Sequence, residues 1–554
     1  FNHYWAGNGE YVLYLQDADG DENYRLYRVE LSTGEVRDLT PFEGVRCGIS
    51  HLTHDRPDEL VLYMNRRNPE VFDCYVLNLV TGEISLIQEN PGDVLYYDLD
   101  WNMQVRAYSK PTPDGGEEFF VRREPGGEWE RLFAWDYEDS SSFSLSFTPG
   151  GGGLYLADSR GSNTLRLVLL DLATGETTVL AEDPDYDIHF GHGLSSFAFH
   201  PTSHELEAVA FYRERLEWEP LSDAVRGDIE LLNAYFDADY YFSDRSRDDR
   251  TWLVTAYPDD RSPAAYVYHR DEGRVEKMFD IRPELDGYTL APMIPITYPA
   301  RDGLAIRGYL TLPPGLLPRE LPLVLDVHGG PWARDIRGYS GEVQWLANRG
   351  YAVLQVNFRG STGFGKGFMR LGDREWGGRM QDDLTDAVAW AVGLGIADPE
   401  RVAVYGWSYG GYAALAGATF TPELYACAVS GIGPANLVSF IETVPPYWRV
   451  GRESFFRRVG NPETERGFLE SRSPLNFVER IEIPMFLIYG AHDPRVKLSE
   501  GEQISAALAA AGITYEYVVY PDEGHGLARP ENRLDAYRRI ERFLADNLGG
   551  RFEE

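Results

Sequence analysis

Three side chains in the carboxy-terminal half have the types and the order of a nucleophilic relay: Ser408, Asp493 and His525. Ser408 lies in Gly406-Trp407-Ser408-Tyr409-Gly410, a G-x-S-x-G pentapeptide. Alone this is a weak signal, since a glycine-rich chain of this length is expected to hold about 0.3 such matches by chance. A serine hydroxyl is a poor nucleophile until a base takes its proton. Of the 11 histidines, His525 alone sits in a glycine-flanked loop, Asp522-Glu523-Gly524-His525-Gly526, that follows an apolar strand downstream of Ser408. The imidazole in turn needs an acid to hold its tautomer and stabilise the imidazolium. Asp493, in Gly490-Ala491-His492-Asp493-Pro494, also follows an apolar strand. Asp522 and Glu523 are nearer in sequence, but sharing one loop with the histidine gives poor side-chain geometry.

Acyl transfer also needs two amide donors aimed at the developing oxyanion, and losing one typically costs about 10²–10³ in rate. The amide after the nucleophile belongs to Tyr409. The second is expected from His328-Gly329-Gly330-Pro331, which follows another apolar strand; Gly330 is favoured over Gly329. His328 is read as packing that shapes this loop, not as a second base.

The elements that must hold these groups alternate. Apolar strands at 323–327, 352–357, 402–405, 485–489 and 515–520 are separated by helical stretches such as 381–394 and 499–511, and a final helix spans about 530–548. Nearly continuous apolar strands between helices predict a doubly wound, mostly parallel sheet buried on both faces, that is, an α/β-hydrolase fold over residues 286–554. In that fold the nucleophile sits on a tight strand-to-helix turn and the order Ser…Asp…His is the expected one.

Residues 1–285 have another periodicity. Thr33-Gly34-Glu35, Thr81-Gly82-Glu83, Gly126-Gly127-Glu128 and Thr174-Gly175-Glu176 recur with weaker echoes at Arg226-Gly227-Asp228 and Glu272-Gly273-Arg274. A spacing of about 45–50 residues, with short alternating strands joined at glycine turns, predicts an all-β propeller. Six blades are visible, and a seventh in the complete protein would have to precede Phe1.

The formal charge is −36 with a pI near 4.7, which disfavours phosphate backbones and anionic lipid surfaces. Nucleic-acid and membrane partners are therefore not expected, and no run of 18 apolar residues is present. Three cysteines at unrelated spacings give no disulfide framework and no metal site, which fits a cytoplasmic location. No cofactor is implied. His189 and His192, with His200 and His204 nearby, lack an acidic or cysteine partner at ligand spacing and read as structural. Gly363-Phe364-Gly365-Lys366-Gly367 lacks the ending of a phosphate loop. Asp382-Asp383 and Glu217/Glu219 read as solvated faces.

Together, a propeller, the Gly-Trp-Ser-Tyr-Gly-Gly-Tyr elbow, His-Gly-Gly-Pro, the run Asn357-Phe-Arg-Gly-Ser-Thr-Gly-Phe-Gly365 and the Asp-Glu-Gly-His-Gly loop resemble the prolyl oligopeptidase family of serine peptidases, and within it the acylaminoacyl-peptidase branch. The resemblance implies Ser408, Asp493 and His525 as the triad and Tyr409 and Gly330 as amide donors. It also implies that Arg495 binds a substrate carbonyl or carboxylate, and that the propeller admits short peptides or acylated amino acids and excludes folded proteins. Trp407, Phe440, Tyr447 and Trp448 are candidates for an apolar substrate pocket. The triad does not distinguish amide from ester, so a carboxylesterase or small-amide hydrolase is the alternative reading, and a homo-oligomer is compatible with either.

Overall fold

The structure is a computed structural model describing residues 3–188 and 196–553, so His189 and His192 lie outside the described residues. From His3 to Asp280 the chain forms six consecutive antiparallel sheets. Five have four strands, and each of these closes at a glycine turn read from the repeat: Gly34, Gly82, Gly126, Gly175 and Gly273 all have φ between 56° and 79°. A side chain there would be strained, which is why glycine recurs where the turn recurs.

The echo at Gly227 is corrected by the structure. It lies within a helix, Asp223–Tyr235, that stands where the fourth strand of the fifth sheet would be. Ser222 caps that helix by accepting a hydrogen bond from the Ala224 amide, and Val225, Ile229 and Leu232 bury one face against the sheet. That i, i+4, i+7 spacing is helical, and it outweighs the hairpin suggested by the glycine.

Neighbouring sheets pack face to face. Leu13 and Leu26 of the first meet Leu60, Leu62 and Leu77 of the second. Phe119 and Val121 of the third meet Leu154, Leu156 and Val168 of the fourth. Each blade thus shares its apolar faces with its neighbours, as a propeller requires.

The second unit is one eight-stranded sheet. Its strands are β1 (Met293–Pro299), β2 (Ala305–Thr311), β3 (Leu321–Val327), β4 (Ala352–Asn357), β5 (Ala397–Trp407), β6 (Cys427–Gly431), β7 (Met485–Gly490) and β8 (Tyr515–Tyr520), ordered β1-β2-β4-β3-β5-β6-β7-β8. β2 pairs antiparallel with both its neighbours, β1 and β4, and all the other neighbouring strands pair parallel. The two-residue period of a strand fills a core on each face: Leu323, Leu325, Val402 and Val404 point to one, Val324, Ala403 and Tyr405 to the other. The helices lie at Arg379–Gly393, Leu498–Ala511 and Pro530–Leu548, close to where the periodicity predicts them.

The propeller sits over the carboxyl ends of these strands, where a doubly wound sheet binds its ligands. The seam has a consistent polarity. Asp19, Glu22, Glu70, Glu138, Asp139 and Asp259 of the propeller pair with Arg529, Arg495, Arg449, Arg370, Lys366 and Arg337 of the sheet domain, at 2.5–3.1 Å.

Candidate active site

β5 ends at Trp407 and a helix begins at Tyr409, so Ser408 is the whole connection. Its backbone is at φ 58°, ψ −117°, a strained conformation that typically costs about 1–3 kcal/mol. The turn closes only because its flanks are glycine. A Cβ at Gly410 would lie 2.0 Å from the Val327 carbonyl oxygen, and one at Gly406 would lie 2.6 Å from that same oxygen. The Ser408 amide donates to Gly431 at 2.8 Å, which ties the elbow to β6.

The loops after β7 and β8 bring the other two groups to this serine. His525 Nε2 is 3.0 Å from Ser408 Oγ, and His525 Nδ1 is 2.7 Å from Asp493 Oδ2. Asp493 is buried, and its Oδ1 accepts from the Arg495 and Val496 amides at 2.7 and 2.9 Å, which fixes the carboxylate's aim. The rejected neighbours have another task. Buried Glu523 accepts from the amides of Ala528 and Arg529 and from Asn532, bracing the loop that carries the imidazole. A serine–imidazole–carboxylate chain of this geometry can transfer the serine proton and later return it.

Gly330 and Tyr409 line the cavity onto which Ser408 opens. Gly330 has φ 117°, and a Cβ on it would lie 2.7 Å from the Trp332 amide nitrogen. His328 takes no part in the relay: its ring stacks on Phe358 at 4.4 Å and its Nε2 is 3.0 Å from Ser361 Oγ.

The cavity has a volume of about 900 Å³, and its walls include Trp332, Trp376, Phe440, Tyr447, Trp448 and Phe455. Phe440, Tyr447, Trp448 and Arg495 thus lie where a pocket was expected. Trp407 does not. Its indole lies across Gly431, where a Cβ would meet the ring at 2.2 Å, and its Nε1 donates to the Tyr405 hydroxyl at 2.8 Å. Adjacent residues at an extended strand end point to opposite sides, so a neighbour of the nucleophile faces away from it. Trp332, Trp376 and Phe455 were missed, although Trp332 directly follows the glycine loop that carries Gly330. Asp383 also departs from its solvated reading. It is buried and pairs with Arg359 at 2.7 Å.

Sequence reasoning missed one charged group altogether. Glu22, from a propeller loop, is buried against Arg495 at 2.7 Å and Arg46 at 2.5 Å, and accepts from the Tyr447 hydroxyl at 3.1 Å. Burial pushes its carboxyl up, but the two guanidiniums outweigh burial and hold it below its ordinary value. No motif marks this residue, because two of its partners, Tyr447 and Arg495, are hundreds of positions away.

By its fold the chain is an α/β-hydrolase roofed by a propeller. It belongs to the prolyl oligopeptidase family of serine peptidases, whose sequence pattern matches residues 337–551. Dipeptidyl aminopeptidase BIII of Pseudoxanthomonas mexicana is 42% identical, over 100% of this chain and 81% of that protein. Dipeptidyl peptidase family member 6 of Caenorhabditis elegans is 35% identical, over 99% of this chain and 79% of that protein. A puromycin-hydrolyzing peptidase of Mycobacterium tuberculosis superposes with a TM-score of 0.81 at 21% identity, over 98% of this chain and 85% of that one, a likeness of fold.

Proposed function

We propose that this chain removes dipeptides from the free amino termini of short peptides through a covalent acyl-enzyme on Ser408. The observation that carries the reading is a shared cavity. Ser408 and Arg495 line the same 900 Å³ space, and Arg495 is paired with the buried carboxylate of Glu22. Arg495 holds Glu22 Oε1, while Arg46 and Tyr447 occupy Oε2. A carboxylate has about four acceptor sites, so Oε1 keeps one for an ammonium group. Arg495 can meet the first residue's carbonyl, and the aromatic wall can take the second residue's side chain.

In this mechanism His525 takes the Ser408 proton as Oγ attacks the scissile carbonyl. The Tyr409 and Gly330 amides receive the oxyanion. His525 passes the proton to the departing amine as the C–N bond breaks, leaving an ester on Ser408. Water then attacks that ester with His525 again as base, and the dipeptide acid departs as the serine is reprotonated. The propeller roof limits substrates to those that fit the cavity.

A second reading, hydrolysis of acylated amino acids, is favoured by the cluster's balance of two guanidiniums to one carboxylate, which suits an uncharged acyl carbonyl. Turnover of free-amino dipeptide anilides, N-acyl amino-acid anilides and simple esters separates the cases. The proposal expects the free dipeptide anilides to be fastest, with Glu22→Gln losing most on those substrates. Preference for acylated substrates would install the second reading, and activity on esters alone would defeat both. Fluorophosphonate labelling should vanish in Ser408→Ala, and persistent labelling would remove Ser408 from the mechanism.

A further inference from the structure

We infer that Trp332 sets how large a side chain the acyl-donating residue can carry, by walling the active-site cavity off from a second chamber. The inference rests on the acyl-enzyme reading above. The second chamber, of about 510 Å³, lies between propeller and sheet domain, and Trp332 lines both spaces. On the active-site side its neighbours are aromatic: Phe455 meets it edge-on at 5.8 Å and Trp376 lies at 6.5 Å. On the other side Trp332 faces a mixed lining, in which Glu117, Ser141 and Lys366 stand among apolar groups such as Phe143, Leu165 and Met369.

The indole is braced as a partition. The Arg458 guanidinium lies 5.1 Å from its ring centroid, and Arg458 Nη2 donates to Ser140 Oγ at 2.9 Å, anchoring the contact to the propeller. Its backbone follows Gly330, so the residue that closes the pocket is two positions from an amide donor. A side chain entering the aromatic pocket from an acyl group on Ser408 therefore meets the indole, and behind the indole lies the second chamber. Pocket depth is then a property of one residue. Removing that residue joins two existing spaces, whereas removing any ordinary core tryptophan would leave only the void of its own ring.

The test compares kcat/KM on Gly-Xaa p-nitroanilides with Xaa of rising bulk, from Ala through Phe to naphthylalanine, alongside p-nitrophenyl esters of acids of matching bulk. Trp332→Ala should raise the naphthylalanine-to-Ala ratio by on the order of tenfold or more, and Trp332→Phe should fall between it and the wild type. Adding Ser141→Phe to Trp332→Ala refills the chamber and should reverse the gain, a result that a general loosening of the fold would not give. A ratio within about twofold of the wild type, in a variant that still takes fluorophosphonate, overturns the inference. If Trp332→Ala takes no label, the Trp332→Phe ratio decides by the same criterion. If all forms cleave the esters and none the anilides, the peptidase reading fails, and the ester series still decides the role of Trp332.

Discussion

Gly20 of the propeller and Gly524, next to His525, lie backbone against backbone. A Cβ on Gly20 would stand 2.1 Å from the Gly524 amide nitrogen, and one on Gly524 would stand 1.9 Å from the Gly20 carbonyl oxygen. Asp19 extends the contact, pairing with Arg529 at 2.6 Å while its carbonyl lies 3.1 Å from His492 Nδ1. The loop bearing the imidazole is thus held from above by the roof of the active site as well as from below by Glu523.

Gly20→Ala should displace that loop. A shift of about 1 Å in a catalytic group costs on the order of 10²-fold. We expect kcat/KM to fall by that order, with the fluorophosphonate reaction slowed in parallel because it uses the same imidazole. Stopped-flow labelling reads this directly. Unchanged labelling would mean that the propeller contact does not position His525.

Gly410→Ala tests the elbow itself. The new Cβ would stand 2.0 Å from the Val327 carbonyl oxygen, and backbone cannot swing aside as a side chain can. Overpacking of this kind typically costs about 1–3 kcal/mol. The variant should unfold at lower denaturant and bind no fluorophosphonate.

Asp493→Asn should keep the fold and lower kcat by on the order of 10⁴, since the amide cannot hold the imidazole in its working tautomer. Steady-state kinetics should show the loss in kcat more than in KM. A loss of less than about tenfold would assign the orienting role to another acid.

Asp239 is a pH-dependent term in the propeller's stability. It is buried between the fifth and sixth blades, accepting from the Leu216 amide at 3.1 Å and from the Tyr212 hydroxyl. Burial pushes its carboxyl up to about 6 against those hydrogen bonds. The folded pKa lies above the unfolded one, so this group's contribution is complete below about pH 4 and is lost as pH rises through about 6. The stability of the wild type minus that of Asp239→Asn should fall by on the order of 3 kcal/mol from pH 4 to pH 7. Denaturant titrations of both proteins across that range measure it.

What the sequence made legible follows the range of each interaction. Ser408, Asp493 and His525 could be read because each sits at the end of an apolar strand, a local pattern that the sheet converts into proximity. The five glycine turns could be read for the same reason. Gly227 misled because a turn residue was weighed without the helical spacing of Val225, Ile229 and Leu232. Trp407 misled because closeness in sequence to Ser408 was taken for closeness in space. Glu22 left no trace, since its meaning depends on Arg495 and Tyr447 reaching across the seam to meet it beside Arg46.

The polarity of that seam has a consequence for access. Acids stand on the propeller side of these six pairs and bases on the other, so each domain is a counterion surface for its partner. Several pairs are solvent-exposed, and ions in solution compete with such contacts. Salt should therefore weaken the grip between roof and floor without touching the relay beneath. Turnover of peptides near the size limit should rise with ionic strength while that of the smallest substrates stays flat, and the ratio of the two would read the opening of the molecule through its chemistry.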